Sequence, residues 1–178
     1  PLGGLQAARL LGRSNERLIA FSSLSKRSNV PGMRSGFVAG DAAILKKFLL
    51  YRTYHGCAMA PPVQLASTAA WNDEAHVLDN RNQYREKFAA CTPLIGEVLG
   101  TRMPDASFYL WARTPVTDTE FARGLLEHYN VVVLPGSFLA REVKDINPGA
   151  NFVRIALVAS AAECLDAASR IRRFAQQL

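Results

Sequence analysis

The segment SLSKRSNVPGMRSG, residues 23–36, carries more chemistry than any other part of the sequence. It follows Leu18–Phe21, a continuous apolar run that predicts a strand covered on both faces. Ligands in open α/β sheets bind beyond the carboxyl ends of the strands, so we expect residues 23–36 to form a loop at a ligand site. Its hydroxyls, amine and guanidinium groups suit an anionic ligand.

Lys26 is the candidate reactive group in this segment. Two neighbouring cations, Arg27 and Arg34, together with partial desolvation would favour its neutral amine. A lysine that forms a Schiff base needs that neutral form. The alternative is an ordinary surface loop rich in Ser and Lys, and the residues alone leave both interpretations open.

The surrounding pattern predicts part of an α/β sheet. Gly36–Gly40 forms a second short apolar strand, and Asp41 is placed to cap a helix behind it. Two buried strands without neighbours cannot cover both of their faces. We therefore expect the chain to be a piece of a larger α/β protein.

The rest of the chain predicts a long helix and a small α+β domain. The helix spans about Val63 to Leu99, with a kink or break at Pro93. Beyond it, the order is strand, helix, strand, loop, strand and helix, with Thr117 and Ser160 opening the two helices. The predicted strands are Phe108–Ala112, Val131–Leu134 and Phe152–Val158.

Composition removes several classes of protein. The net charge of +6 makes nucleic-acid binding the first class to test. The basic residues are scattered, however, so we expect an anionic small molecule and no nucleic-acid partner. No apolar run approaches the roughly 20 residues that span a membrane. Three distant cysteines predict neither a disulfide framework nor a metal site, and with no signal-like N-terminus we expect a soluble, cytoplasmic protein.

Arg154 is a second candidate residue, because it interrupts the apolar strand from Phe152 to Leu157. An unpaired charge is costly to bury, so this guanidinium needs a partner. A structural salt bridge is one explanation. A substrate carboxylate, gripped by two parallel hydrogen bonds, is the other.

The spacing of Ser-x-Ser-Lys and Gly-x-Arg-x-Gly closely resembles the cofactor-attachment signature of the class I/II pyridoxal-phosphate-dependent aminotransferases. The resemblance implies that Lys26 bears the cofactor and acts as the catalytic base and acid. It also implies that Ser23, Ser25 and Arg34 bind the cofactor phosphate. Ser35 departs from the pattern, which usually has Ala or an aliphatic residue there. The strand around Arg154 resembles the one whose Arg grips the substrate α-carboxylate.

The resemblance covers essentially the whole chain and implies an α/β fold, the C-terminal part of a fold type I transferase. Residues 1–60 would be the end of the large cofactor-binding domain, residues 61–100 an inter-domain helix, and residues 101–178 a small α+β domain. Other residues of the family's active site precede the lysine, so we expect this fragment alone to be inactive. The resemblance also implies a homodimer.

Within the family, residues 22–36 and 51–56 look like bacterial N-succinyldiaminopimelate aminotransferase, an enzyme of lysine biosynthesis. Tyr54 and His55, expected in a loop, would then contact the distal anionic group of an amino-acid substrate, with 2-oxoglutarate as the keto-acid partner. A plain structural loop is the alternative. Other reactions on the same fold, a C–S β-lyase or a decarboxylation, stay open, as does a non-catalytic regulatory domain.

Overall fold

The computed structural model describes residues 2–56 and 58–178. The chain divides into two compact units, the first ending at Asn80 and the second spanning Arg81–Leu178. This division falls inside the segment 61–100 that we expected to join two domains. Each unit is described separately below.

The first unit combines a two-stranded sheet with helices. Its antiparallel strands β1 and β2 pair from Ile19 opposite Gly40 to Ser23 opposite Gly36. Gly40 has a φ of +144°, a conformation that L side chains rarely adopt, and an added Cβ would collide with the Leu18 carbonyl. The elements are α1 (Gly4–Leu10), β1 (Ile19–Ser23), α2 (Leu24–Arg27), a 3-10 turn (Pro31–Met33), β2 (Gly36–Gly40), α3 (Ala42–His55), α4 (Pro61–Asn72) and the start of α5 (Ala75–Leu99).

The strands and the helix cap of this unit follow the prediction, but three details differ. Residues 23–36 are not a plain loop, because α2 begins directly after β1. Tyr54 and His55 lie in the last turn of α3 and not in a loop. The expectation that β1 is covered on both faces is wrong for the described residues: Phe21 is 71% exposed, because the described elements leave most of its side chain uncovered. Among those residues, β1 pairs with β2 alone.

The long helix is interrupted at a different residue from the one predicted. It breaks at Asp73, which is extended and accepts hydrogen bonds from the Ala75 N–H and the His76 ring. These bonds restart the chain as α5. Pro93 lies inside α5 without ending it. Cys91 and Ile95 are fully buried on either side of Pro93, so tertiary packing outweighs the lost backbone hydrogen bond.

The second unit begins at Arg81, and its residues 101–178 have the predicted order of strands and helices. Its antiparallel sheet has the strand order β3-β5-β4. Thr117 caps the first helix, and Ser160 with Glu163 forms a full capping box on the last. The elements are β3 (Tyr109–Arg113), α6 (Asp118–Tyr129), β4 (Leu134–Pro135), a 3-10 turn (Gly136–Phe138), β5 (Phe152–Ala156) and α7 (Ala161–Ala175).

This unit contains a continuous apolar core. Side chains from α5, the sheet, α6 and α7 meet in it, and the largest fully buried ones include Phe121, Ile95, Leu110, Leu125 and Ile171. Strand β4 is shorter than predicted, because Val132 is 79% exposed and only Leu134 and Pro135 pair with β5. The C-terminal strand likewise ends at Ala156, before Val158.

Candidate active site

Lys26 lies on α2, immediately beyond the carboxyl end of β1. Ser23 ends the strand and caps α2, its Oγ accepting a hydrogen bond from the Ser25 N–H at 3.0 Å. Leu24 is fully buried, and its N–H donates to the Ser35 carbonyl at 3.2 Å. The buried leucine therefore anchors the turn, while Lys26, two residues further on, stays exposed.

An open cleft of about 740 Å³ borders this turn. Lys26 and Ser23 line it together. Their roles in cofactor binding stay predictions. Two further cations line the cleft, Arg27 of α2 and Arg52 of α3. Sequence reasoning missed Arg52, because nothing in its helical spacing marks it as a site residue. The apolar part of the lining comes from Phe21, Phe37, Val38 and Phe48.

Ser25 and Arg34 are not among the described residues that line the cleft. Arg34 is exposed, with a φ of 51°, and its guanidinium donates to the Pro31 carbonyl at 2.7 Å. The Ser25 N–H binds the Ser23 hydroxyl. The phosphate-binding roles of Ser25 and Arg34 stay predictions.

Arg27 faces α4. Its guanidinium donates to the carbonyls of Ala70 at 2.8 Å and Trp71 at 3.4 Å, and forms an ion pair with Glu74. It also lies 4.8 Å from the centre of the Trp71 ring, and its side chain is 15% exposed. The carbonyls at the end of a helix lack intrahelical partners, so this cation satisfies the C-terminus of α4.

The next two residues bind the same junction. The Ser28 hydroxyl lies 2.8 Å from His76 Nε2, whose other ring nitrogen is 2.8 Å from Asp73. Asn29 donates to the side chain of Asn80 at 2.7 Å. The hydrogen bond from His76 is the main reason why the pKa of Asp73 lies below its ordinary value. We call Arg27, Ser28 and Asn29 the clasp, because together they hold the segment after Lys26 to the α4–α5 junction.

Ser35, the departure from the family pattern, is buried and shares a hydrogen bond of 2.7 Å with Ser67 of α4. The Ser67 hydroxyl also lies 2.6 Å from the Val63 carbonyl. A buried hydroxyl needs such a partner, so Ser67 compensates for the polar group at position 35.

Tyr54 and His55 do not line the cleft in the described part of the chain. Tyr54 is 84% exposed at the end of α3, and the His55 ring lies 5.1 Å from the Tyr51 ring. Their role in substrate binding stays a prediction.

Arg154 belongs to the second unit. It lies on β5, opposite Trp111 of β3 and Leu134 of β4, with its guanidinium 4.9 Å from the centre of the Tyr109 ring. Within the described residues, no carboxylate forms an ion pair with it. The salt bridge that was one explanation for this residue is thus absent from the part of the chain that the structure describes, and the guanidinium could donate hydrogen bonds to an external carboxylate.

Two further kinds of site find no support in the described ranges. They contain no group of three His, Cys, Asp or Glu side chains that could hold a metal ion. None of their helices is long and apolar enough to cross a membrane.

Residues 3–171 match the family model for aminotransferase class I and II. An aminotransferase structure from Neisseria meningitidis is 58% identical, with a TM-score of 0.92 over 98% of this chain and 44% of that one. A probable N-succinyldiaminopimelate aminotransferase structure from Thermus thermophilus is 32% identical, with a TM-score of 0.77 over 90% of this chain and 42% of that one. A 4-dedimethylamino-4-oxo-anhydrotetracycline transaminase from Streptomyces rimosus is 33% identical over 96% of this chain and 46% of its own length. The chain thus spans less than half the length of these proteins.

Proposed function

The chain belongs to the class I and II aminotransferase family, and from this premise we propose that the complete protein is a transaminase with Lys26 as its catalytic residue. The family is pyridoxal-phosphate dependent. The observation that supports the proposal most directly is the cleft at the carboxyl end of β1, which Lys26, Ser23 and Arg52 line together. An amine beside a hydroxyl and a cation fits an aldehyde that carries a phosphate.

The proposed roles follow from the chemistry of each side chain. Lys26 Nζ would hold the cofactor, take the proton from the substrate Cα and return it as an acid. Ser23, Ser25 and Arg34 would hold the cofactor phosphate. When bound, pyridoxal phosphate supplies an electron sink for the electrons of the broken bond. Arg154 would bind the substrate α-carboxylate through two parallel hydrogen bonds.

For the substrate, we propose an N-acylated diamino acid such as N-succinyl-diaminopimelate, as in lysine biosynthesis, with 2-oxoglutarate as the acceptor. The likeness to the Thermus thermophilus protein supports this choice. Tyr54 and His55 would contact the distal anionic group. We further propose that the working form is a homodimer, because Tyr54 is so exposed here that it needs a neighbouring surface to enclose a ligand. We propose the cytoplasm as its location.

The experiment is to incubate the complete protein with pyridoxal phosphate, 2-oxoglutarate and a panel of amino donors, and to measure glutamate. N-succinyl-diaminopimelate should give the highest kcat/KM in the panel. Pyruvate and ammonia without glutamate would indicate a β-lyase instead, and carbon dioxide a decarboxylase. A folded protein that turns over no member of the panel would support the alternative of a non-catalytic regulatory domain.

A further inference from the structure

A single buried carboxylate closes the loop between β4 and β5. Asp118 lies in the first turn of α6 and is 4% exposed. Its Oδ2 accepts the Ser137 N–H at 2.8 Å, and its Oδ1 accepts the Asn151 N–H at 3.4 Å. Ser137 lies just after β4, and Asn151 lies just before β5. Each carboxylate oxygen therefore holds one end of the loop.

Neighbouring hydrogen bonds reinforce this closure. The Thr114 N–H donates to the Asn151 carbonyl at 2.8 Å, so both backbone groups of Asn151 are bound. The Asn147 side chain donates to the Ser137 carbonyl at 3.0 Å and accepts the Gly149 N–H at 2.9 Å. Ser137 and Asn151, the two residues that Asp118 binds, are thus each held by a further hydrogen bond.

The carboxylate form is the one that these bonds require. Burial acts to raise the pKa of Asp118, but hydrogen bonds from Ser137 and from the Asn151 N–H outweigh it, and the net pKa lies below the ordinary value. A side-chain amide replaces one of the two oxygens with a donor nitrogen. Because the Ser137 and Asn151 N–H groups bind different oxygens, one of them would face a donor and lose its acceptor.

The backbone conformation of Asn151 determines on which face of β5 the Arg154 side chain lies. Its φ of 61° sets the direction in which the chain enters β5. Along β5, Val153 and Ile155 are buried, whereas Arg154 lies on the other face, beside Tyr109. A shift of one residue at the start of the strand would exchange these faces and bury the guanidinium.

We propose that Asp118 is a positioning residue for Arg154: by fixing Asn151, it holds the arginine on the face where a substrate carboxylate binds. This inference rests on the proposed function, because it assumes that Arg154 binds carboxylate. Asp118 would act through the arginine and not by contacting substrate.

The test measures binding of 2-oxoglutarate to the complete, cofactor-loaded protein by calorimetry, together with kcat. Asp118→Asn should raise the Kd about tenfold and leave kcat at saturating substrate within about threefold, since only carboxylate binding is affected. Asp118→Glu, which keeps both acceptor oxygens, should recover part of the affinity. Glu120→Gln is the matched control: it removes a charge from the same turn of α6 without contacting the loop, and should change neither quantity.

A double-mutant cycle separates positioning from a general loss of structure. In the Arg154→Ala background, Asp118→Asn should have no further effect on the Kd, because it acts only through the arginine. An additive effect would overturn the proposal. Should Asp118→Asn fail to unfold cooperatively, Asn147→Ala loosens the same loop and should raise the Kd about threefold, in the same non-additive way.

The two hypotheses fail differently. If Arg154→Ala weakens 2-oxoglutarate binding but Asp118→Asn and Asn147→Ala do not, only the positioning role is overturned. If the unaltered protein binds no 2-oxoglutarate, or if Arg154→Ala changes nothing, the proposed role of Arg154 is contradicted and this inference falls with it.

Discussion

The two units are stabilised by different interactions. Residues 81–178 enclose a continuous core around Phe121, Ile95 and Ile171. In the described residues up to Asn80, the only fully buried apolar side chains are Leu24 and Val77. There the polar clasp joins the segment after Lys26 to the α4–α5 junction through hydrogen bonds. Many large apolar side chains of the first unit are exposed, among them Leu10, Leu11, Phe21, Leu49, Leu50, Tyr54 and Leu65. The difference indicates that the second unit can fold from its own sequence, whereas the unit with the reactive lysine depends on contacts outside it.

Separating the units should give the largest effect. Residues 81–178 expressed alone should unfold cooperatively, with a free energy of unfolding of about 5 kcal/mol or more, because their core is complete. Residues 2–80 alone should show no cooperative transition. Urea denaturation followed by circular dichroism measures both. A cooperative transition in residues 2–80 would contradict the claim that the first unit depends on contacts outside it.

The second-largest effect is expected from a mutation that creates a cavity in the core of the second unit. Phe121→Ala should lower the free energy of unfolding of residues 81–178 by about 3–5 kcal/mol, because the ring is fully buried. Phe138→Ala is the matched control, since that ring is 71% exposed in the same unit, and should change stability by less than about 1 kcal/mol. Equal losses in the two variants would argue against the core described here.

The clasp can be tested through cofactor affinity in the complete protein. Arg27→Ala removes the hydrogen bonds to Ala70 and Trp71, and should raise the Kd for pyridoxal phosphate about tenfold, or about 1.4 kcal/mol. Arg27 also lines the cleft, so Arg27→Lys, which keeps the positive charge there but not the fork of donors, isolates the anchoring role. Its Kd should lie between those of the unaltered protein and Arg27→Ala. Arg9→Ala, on the exposed face of α1, is the control. Cofactor binding that is indifferent to Arg27 would contradict the anchoring role.

The pH dependence of the second unit should follow Asp118. Because its pKa is lower in the folded state than the usual 3.8, its stabilising contribution is fully present above about pH 4 and is lost as pH falls through the folded pKa. Asp118→Asn should remove this part of the acid sensitivity. Free energies of unfolding of residues 81–178 between about pH 6 and pH 2.5 measure the slope. An unchanged slope in the variant would assign the acid sensitivity to other groups.

The smallest effect is expected at the position that departs from the family pattern. Ser35→Ala removes one hydrogen bond but leaves Ser67 bonded to the Val63 carbonyl. The free energy of unfolding and the activation free energy of the reaction should therefore each change by less than about 1 kcal/mol. Ser67→Ala should cost slightly more, since it leaves the buried Ser35 hydroxyl without its partner. Thermal unfolding of the complete protein compares the two variants.

The comparison also explains which features the sequence could predict. Local patterns were sufficient for the strands β1 and β2, the caps at Asp41, Thr117 and Ser160, and the order of elements in the second unit. The break at Asp73 was missed, because it depends on hydrogen bonds to Ala75 and His76, and the passage through Pro93 depends on tertiary packing.

The candidate site was predictable to a similar extent. The motif spacing singled out Lys26 and Ser23, and both line one cleft, while their roles there stay predictions. The anchoring of Arg27 to α4 could not be found from the sequence, since it depends on a residue 43 positions away along the chain. The entry of Arg52 into the cleft could not be found either, since it depends on how α3 packs beside the strands. The binding of the β4–β5 loop by Asp118 could not be predicted either, because an acidic residue in the first turn of a helix is usually explained by the helix dipole alone.

The central claim is that Lys26 carries the cofactor, and borohydride trapping tests it most directly. The complete protein is loaded with pyridoxal phosphate, reduced with borohydride, digested and mapped by mass spectrometry. We predict that the cofactor is fixed covalently on the peptide that contains Lys26, and that Lys26→Ala abolishes the label while Lys46→Ala does not. A label on another lysine, or no label on a folded protein, would contradict the account.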